Sequence, residues 1–249
     1  MANLKEIRNR ISSVSSTMQI TSAMKMVSAA KLKKAQDAIT AMRPYADKLT
    51  ELLQSLSATL DADSGSKFST QREVKKVLIV AITSNRGLCG AFNSNIIKEV
   101  IRLTKEAYTN QEVSYLAIGK KTNDAFKKTG KITANHSTVF DDLTFDNVAE
   151  IAQSIMDKFV EGEFDKVELV YNRFKNAATQ IVTTEQFLPI VPVEGASNTN
   201  ADYIFEPSKV EIVEQLIPKS LKTQLYKAVR DSFASEHGAR MTAMHKATD

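Results

Sequence analysis

The sequence predicts an α/β protein in which a long antiparallel coiled coil, built from N- and C-terminal helices, carries a small α/β domain with a largely parallel sheet. Three observations predict it. The first glycine is Gly65 and the only proline before it is Pro44, and apolar residues recur through this stretch with the 3,4 spacing of a heptad seam. Residues 208–249 hold one glycine, Gly238, and a second helical stripe. Between these ends the period changes to short apolar runs alternating with helical patterns, the sign of a parallel sheet covered by helices.

Residues 1–62 read as the first helix of the coil. Its seam is Leu4, Ile7, Ile11, Val14, Met18, Thr21, Lys25, Ser28, Leu32, Ala35, Ile39, Met42, Ala46, Leu49, Leu53, Leu56 and Leu60. The polar members Thr21, Lys25 and Ser28 are consecutive and read as one interruption, over which Ile20, Met24 and Val27 occupy another face, as if meeting a second partner. Asn3 followed by Glu6 is a capping-box start. Pro44 should kink or break the helix near Arg43. A helix of about 57 residues spans roughly 85 Å, whereas a compact chain of this length has a radius of gyration near 18 Å. The helix must therefore protrude, and its seam needs a covering helix.

Residues 74–205 are the α/β domain. Val77–Ile82 is a continuous apolar run, as in a strand buried on both faces. A turn at Arg86–Gly90 leads into the helical pattern Ile96, Ile97, Val100, Ile101, Leu103. Val113–Ile118 reads as a strand, Lys121–Lys128 as a helix ending at Gly130, and Lys131–Phe140 as a strand. Asp146 opens an amphipathic helix that stops at Gly162, and Val167–Tyr171 and Ile181–Leu188 complete the strands. This alternation is Rossmann-like; Lys67–Glu73 and Pro189–Asp202 read as linkers.

Residues 208–249 supply the partner helix, with Ser208 as N-cap and the stripe Val210, Val213, Ile217, Leu221, Leu225, Ala228. Pro218 should bend it. Beyond Ala228 the stripe thins to Ser232, Ser235 and Ala239, then Met241 and Met244, with no stop signal before Asp249.

Composition narrows the function. No apolar run reaches the length of about 18 residues that a membrane-spanning helix needs, and one cysteine, Cys89, excludes a disulfide framework or Cys-based zinc cluster. The net charge of +4 is unevenly divided: residues 1–50 hold nine bases against three acids, so the other 199 residues carry −2. An acidic partner should meet the N-terminal segment. That basic, Ser-rich start could be read as a transit peptide, but its heptad phase continues to Leu60, which a cleaved leader need not share. A nucleic-acid arm is disfavoured because no aromatic residue interleaves the bases before Tyr45.

The turn Thr83–Asn93 lies where a nucleotide-binding protein holds phosphates, and the alternative function is a nucleotide-binding α/β protein using Gly87–Gly90. Its glycines do not make a GxGxxG series or a Walker loop. Cys89 has no histidine near it in sequence to act as base. His237 and His245, eight apart, make no HxxxH metal pair and read as solvated helix residues; Asp141 and Asp142 read as a loop pair. No catalytic, cofactor-binding or metal-binding residue is assigned.

Three segments, MANLKEIRNRISSV with TSAMKMVSAAKLKKAQ and MRPYA, TSNRGLCGAFN, and SEHGARMTAMHKATD, together resemble the gamma-subunit family of F-type ATP synthases in order and separation; DYIFEPS at 202–208 is also similar. The resemblance implies a non-catalytic central rotor shaft without cofactors. Its coil would sit in the alternating alpha/beta hexamer and its α/β domain would form a foot with epsilon and the c ring. It would transmit torque between ion flow and ATP synthesis, regulating ATPase activity and proton flow. The chain would then be peripheral to the cytoplasmic face of a bacterial inner membrane, or the matrix side in an organelle. By motif, Met24, Lys25, Met26, Arg86, Gly87, Leu88, Cys89, Gly90 and Arg240 would contact the hexamer, and Tyr203 and Glu206 the c ring or epsilon. Family members usually continue some 35 to 40 residues past the ATD motif, so the resemblance implies a shortened C-terminal end. A chloroplast-type cysteine pair is missing from the pattern, so thiol control is not expected.

Overall fold

The computed structural model describes residues 3–57, 67–190 and 209–249. Helix α1 runs from Leu4 to Ser57 and α5 from Lys209 to Thr248, about 80 Å and 60 Å long at 1.5 Å per residue. Asn3 starts α1, its Oδ1 accepting from Lys5 N at 3.2 Å. Both internal prolines lie inside continuous helices. Of the kink or break predicted near Arg43, the break is corrected: α1 passes through Pro44 as one helix. Packing on both flanks of the proline holds that turn, since Ile39, Ala46 and Leu49 are all buried. The stretch to Leu60 and Ser208 lie outside the described residues.

The two helices pair antiparallel, Thr21 Oγ1 lying 2.8 Å from Thr248 Oγ1 and Lys25 Nζ 3.3 Å from His245 Nδ1. The predicted interruption of the seam is also corrected. Thr21 and Ser28 are buried at 8% and 3% exposure, and the seam continues through Leu32, Ala35, Ile39, Ala46 and Leu49. Thr21 is a rung of the same interface, its hydroxyl paired with that of Thr248; Ser28 is buried in it, and Lys25 is half-buried beside His245. Before Thr21 the seam has no cover from α5: Leu4, Ile7, Ile11, Val14 and Met18 are exposed, as are Ile20, Met26 and Val27 on other faces.

The α/β domain contains strands β1 (Lys76–Ile82), β2 (Glu112–Ile118), β3 (Ile132–Asn135), β4 (Lys166–Phe174) and β5 (Gln180–Leu188). Their order is β3-β2-β1-β4-β5, the first four parallel and β5 antiparallel to β4. Helices α2 (Phe92–Arg102), α3 (Lys120–Phe126) and α4 (Phe145–Val160) connect the strands. The predicted strand Lys131–Phe140 shortens to β3 followed by a 3-10 turn at Ser137–Phe140, since Asn85 Nδ2 bonds the carbonyl of Ser137 at 2.8 Å and turns the chain inward.

Strand β1 is central and apolar at every position after Lys76. Val77, Ile79 and Ala81 pack toward α2 and α3; Leu78, Val80 and Ile82 pack toward α4 and α5. That second layer includes Ile217, Leu221, Leu225, Ala228 and Val229 of α5. The coil and the domain thus share one core. Farther along α5, every residue from Asp231 to Arg240 except Phe233 is buried, because α5 is enclosed between α1 and the sheet. The apparent thinning of its stripe is a narrowing instead. Ser232, Ala234, Ser235, Gly238 and Ala239 admit close neighbours, and a Cβ on Gly238 would lie 3.0 Å from the carbonyl oxygen of Ala177.

Candidate functional site

The turn after β1 is tied down from three directions. Within the turn, Ser84 N donates to Asn93 Oδ1 at 2.9 Å, and Asn93 Nδ2 donates to Ser84 Oγ at 2.8 Å and Cys89 Sγ at 3.2 Å. Toward β2 and α3, Lys120 N donates to Asn85 Oδ1, while Thr83 Oγ1 lies 2.9 Å from Thr122 Oγ1. Gly119, with φ of 113°, permits that approach, since a Cβ there would come within 2.1 Å of the Thr83 carbonyl oxygen.

The third tie comes from α5. Arg240 donates through Nε and Nη2 to the carbonyl of Gly87 at 3.4 and 3.3 Å, and through Nη2 to that of Arg86 at 3.4 Å. Its Nη1 lies 2.7 Å from Glu236 Oε1, with both side chains about nine-tenths buried. Burial pushes the Glu236 carboxyl up from its ordinary value, opposed by Arg240 and then by Lys31 and Arg86. Beneath the turn, Cys89 packs with Phe92 and Ala239, and burial raises its thiol above the ordinary range. A buried protonated thiol is a poor nucleophile.

This geometry removes the nucleotide reading. In a sheet of this order the ligand crevice lies at the carboxyl ends of β1 and β4, where strand order reverses. Here α5 fills it: Ser235 Oγ donates to the Asn172 carbonyl at the end of β4, and Asn172 Nδ2 donates to the Phe92 carbonyl at the start of α2. A phosphate cradle offers converging N–H groups. This turn instead aims two carbonyls at a guanidinium and spends Ser84 N on Asn93.

Of the residues singled out from sequence, the fold brings together Arg86, Gly87, Leu88, Cys89, Gly90 and Arg240. Arg86, Gly87, Leu88 and Gly90 are exposed, Cys89 and Arg240 buried. Leu88 has φ of 61° and is 65% exposed, so the turn projects an apolar side chain from a left-handed backbone. Met24 and Lys25 are half-buried and Met26 exposed, about 8 to 10 Å along α1 from Lys31, whose charge acts on Glu236. Tyr203 and Glu206 lie outside the described residues. His237 needs correction: it is 5% exposed, its ring set edge-on to Phe233 at 4.5 Å. Burial, then Arg240 and Lys31, lowers its pKa to about 4. His245 is exposed, as first read.

A family model described as ATP synthase matches residues 3–249. The chain belongs to the ATP synthase family. It is 73% identical to the ATP synthase gamma chain of Flavobacterium psychrophilum and 72% identical to that of Flavobacterium johnsoniae, in each case over all of this chain and 87% of the relative. Among solved structures, a chain of the Tetrahymena thermophila mitochondrial ATP synthase, described as central stalk and c ring, superposes with a TM-score of 0.68 at 27% identity. That match covers 92% of this chain and 100% of that one. The rotor of the Euglena gracilis mitochondrial enzyme, at 22% identity and a TM-score of 0.65, shares the fold over 97% of this chain and 89% of its own.

Within this ATP synthase family chain, sequence reasoning missed Asn93, Asn172, Ser235 and Glu236. Only Glu236 carried a signal, its i,i+4 spacing to Arg240 on a helix. Asn93 bonds within the turn, nine positions from Ser84 and four from Cys89, at spacings that follow no helix or strand period. Asn172 and Ser235 act across elements, and local patterning does not pair residues 63 to 80 positions apart.

Proposed function

We propose that the chain is the gamma subunit of a rotary ATP synthase: the central shaft that carries torque between a membrane c ring and an alpha/beta hexamer, without chemistry of its own. The observation that carries this reading is the shared core of coil and foot. Ile217, Leu221, Leu225, Ala228 and Val229 of α5 pack in the same cluster as the sheet and α4, so a twist applied to the foot reaches the coil through packed side chains. Interiors at this density resist deformation. The relatives' names and the central-stalk and rotor structures of similar fold support the same reading.

In this reading the exposed start of α1 and the turn Arg86–Gly90 face the hexamer. Met24, Lys25, Met26, Arg86, Gly87, Leu88 and Gly90 supply the contact surface, while Cys89 and Arg240 support it from inside. The basic start of α1 suits acidic surfaces of the beta subunits. Epsilon and the c ring meet the foot, with Tyr203 and Glu206 assigned there by motif alone. No helix among the described residues is long and apolar enough to cross a membrane, and the proposed location is peripheral, on the cytoplasmic face of a bacterial inner membrane. Mixing the purified chain with alpha and beta subunits tests the function. Restored ATP hydrolysis by the mixture is the expected result; stoichiometric nucleotide binding by the chain alone, with no effect on alpha and beta, would refute it.

A further inference from the structure

We infer that Arg240 and Glu236 form a latch by which the coil sets the conformation of the Arg86–Gly90 turn, making Arg240 a positioning residue for the surface that this turn offers. The inference deepens the reading of the turn as partner-facing and rests on it for its functional consequence.

The latch joins three elements. Arg240 and Glu236 belong to α5, four residues apart on one face; Lys31 of α1 stands near enough to Glu236 to act on its charge; the acceptors are the backbone carbonyls of Arg86 and Gly87. Arg240 is suited to this place by its shape. One planar guanidinium reaches a carboxylate through Nη1 and two carbonyls through Nε and Nη2, which a lysine ammonium on its flexible stem cannot reproduce with the same geometry. Holding those carbonyls inward directs the Arg86 and Leu88 side chains outward. Ala239, next to Arg240, closes over Cys89 and Phe92, so the same segment of α5 both clamps the turn and seals its underside.

Apart from the packing of Ala239, the turn's other hydrogen bonds among the described residues run to α2, α3 and the segment after β3, all within the foot. Arg240 is the α5 side chain that hydrogen-bonds the turn, and with Ala239 packed beneath it makes the turn answer to the coil. A shift of α5 against the sheet moves the clamp, and the presentation of Leu88 follows.

Cys89 provides the readout, because it is the chain's one cysteine and is 1% exposed under the latch. The experiment measures labelling of Cys89 by an aromatic disulfide in the full chain, across low urea concentrations. It uses the native protein, Arg240→Gln, Arg240→Lys and Glu236→Gln, with Leu225→Ala as a control that weakens the core elsewhere. The inference expects Arg240→Gln to label at least tenfold faster than native, with a rate independent of urea below the unfolding transition, as in local opening. Arg240→Lys and Glu236→Gln should fall between, while Leu225→Ala should accelerate labelling only with the urea slope of global unfolding. If Arg240→Gln does not fold, the Lys and Gln substitutions at the two positions carry the test. Native labelling rates in the variants, or acceleration only along global unfolding, would overturn the latch. Adding alpha and beta subunits separates the two levels. Variants that open the turn yet bind and activate the hexamer normally would leave the latch standing and refute the partner-facing role.

Discussion

Leu88 occupies a left-handed conformation that costs a side chain of this kind on the order of 1–2 kcal/mol, yet most of its surface is exposed. A strained, solvated leucine contributes little to folding. Leu88→Asn should therefore leave the urea-derived stability within about 1 kcal/mol of native, because asparagine tolerates that region, while weakening binding to the alpha/beta hexamer. A stability loss above about 2 kcal/mol would assign Leu88 to the fold instead. Gly119 is the opposite case: Gly119→Ala meets the Thr83 carbonyl and should cost about 2–4 kcal/mol by denaturant unfolding. His237 gives a pH signature. Its folded pKa, about 4, lies below the unfolded value near 6.5, so its contribution is complete above pH 6.5 and declines as pH falls toward 4. The raised pKa of Glu236 acts in the opposite sense, so the useful quantity is a difference. The stability difference between native and His237→Leu should shift against the native protein by up to about 3 kcal/mol between pH 6.5 and 4. A flat difference over that window would contradict the assignment.

The two coil helices show how much of an element can be read from one strand of pattern. From Leu32 to Leu49 the seam is buried at every position except the half-buried Met42. Thr21 and Ser28 read as gaps because a heptad pattern counts apolar side chains, whereas Thr21 pairs with the Thr248 hydroxyl and Ser28 is small enough to be buried in the seam. The stripe of α5 misled for a related reason: small residues lower its hydrophobicity where two neighbours press closest. His237 looked solvated because its helix was assigned one buried face, and it has two. The sheet was legible since parallel strands buried on both faces leave continuous apolar runs. The turn's position was legible too, but the α5 residues that close its crevice were not, because no local signal says which helix will lie across a strand end. These differences give an element-scale prediction. Leu225→Ala, at the junction of coil and foot, should cost about 2–5 kcal/mol in denaturant unfolding, whereas Val14→Ala, exposed on the uncovered start of α1, should change the isolated chain by less than about 0.5 kcal/mol. Equal costs at both positions would show that the N-terminal seam is covered in the isolated chain.

For the molecule as a whole, the charge division and the fold describe the same asymmetry. A basic helix projects from a slightly acidic body, and α5 belongs to both. The shared core makes the chain a lever, since the coil cannot turn without turning the foot. An assembled complex tests that directly. With alpha and beta subunits fixed to a surface and a probe attached to the foot through Lys105→Cys in a Cys89→Ser background, ATP should drive the probe around in one direction, in steps of a third of a turn. A probe that stays still while the same complexes hydrolyse ATP would contradict the account of this chain as a torque-bearing shaft.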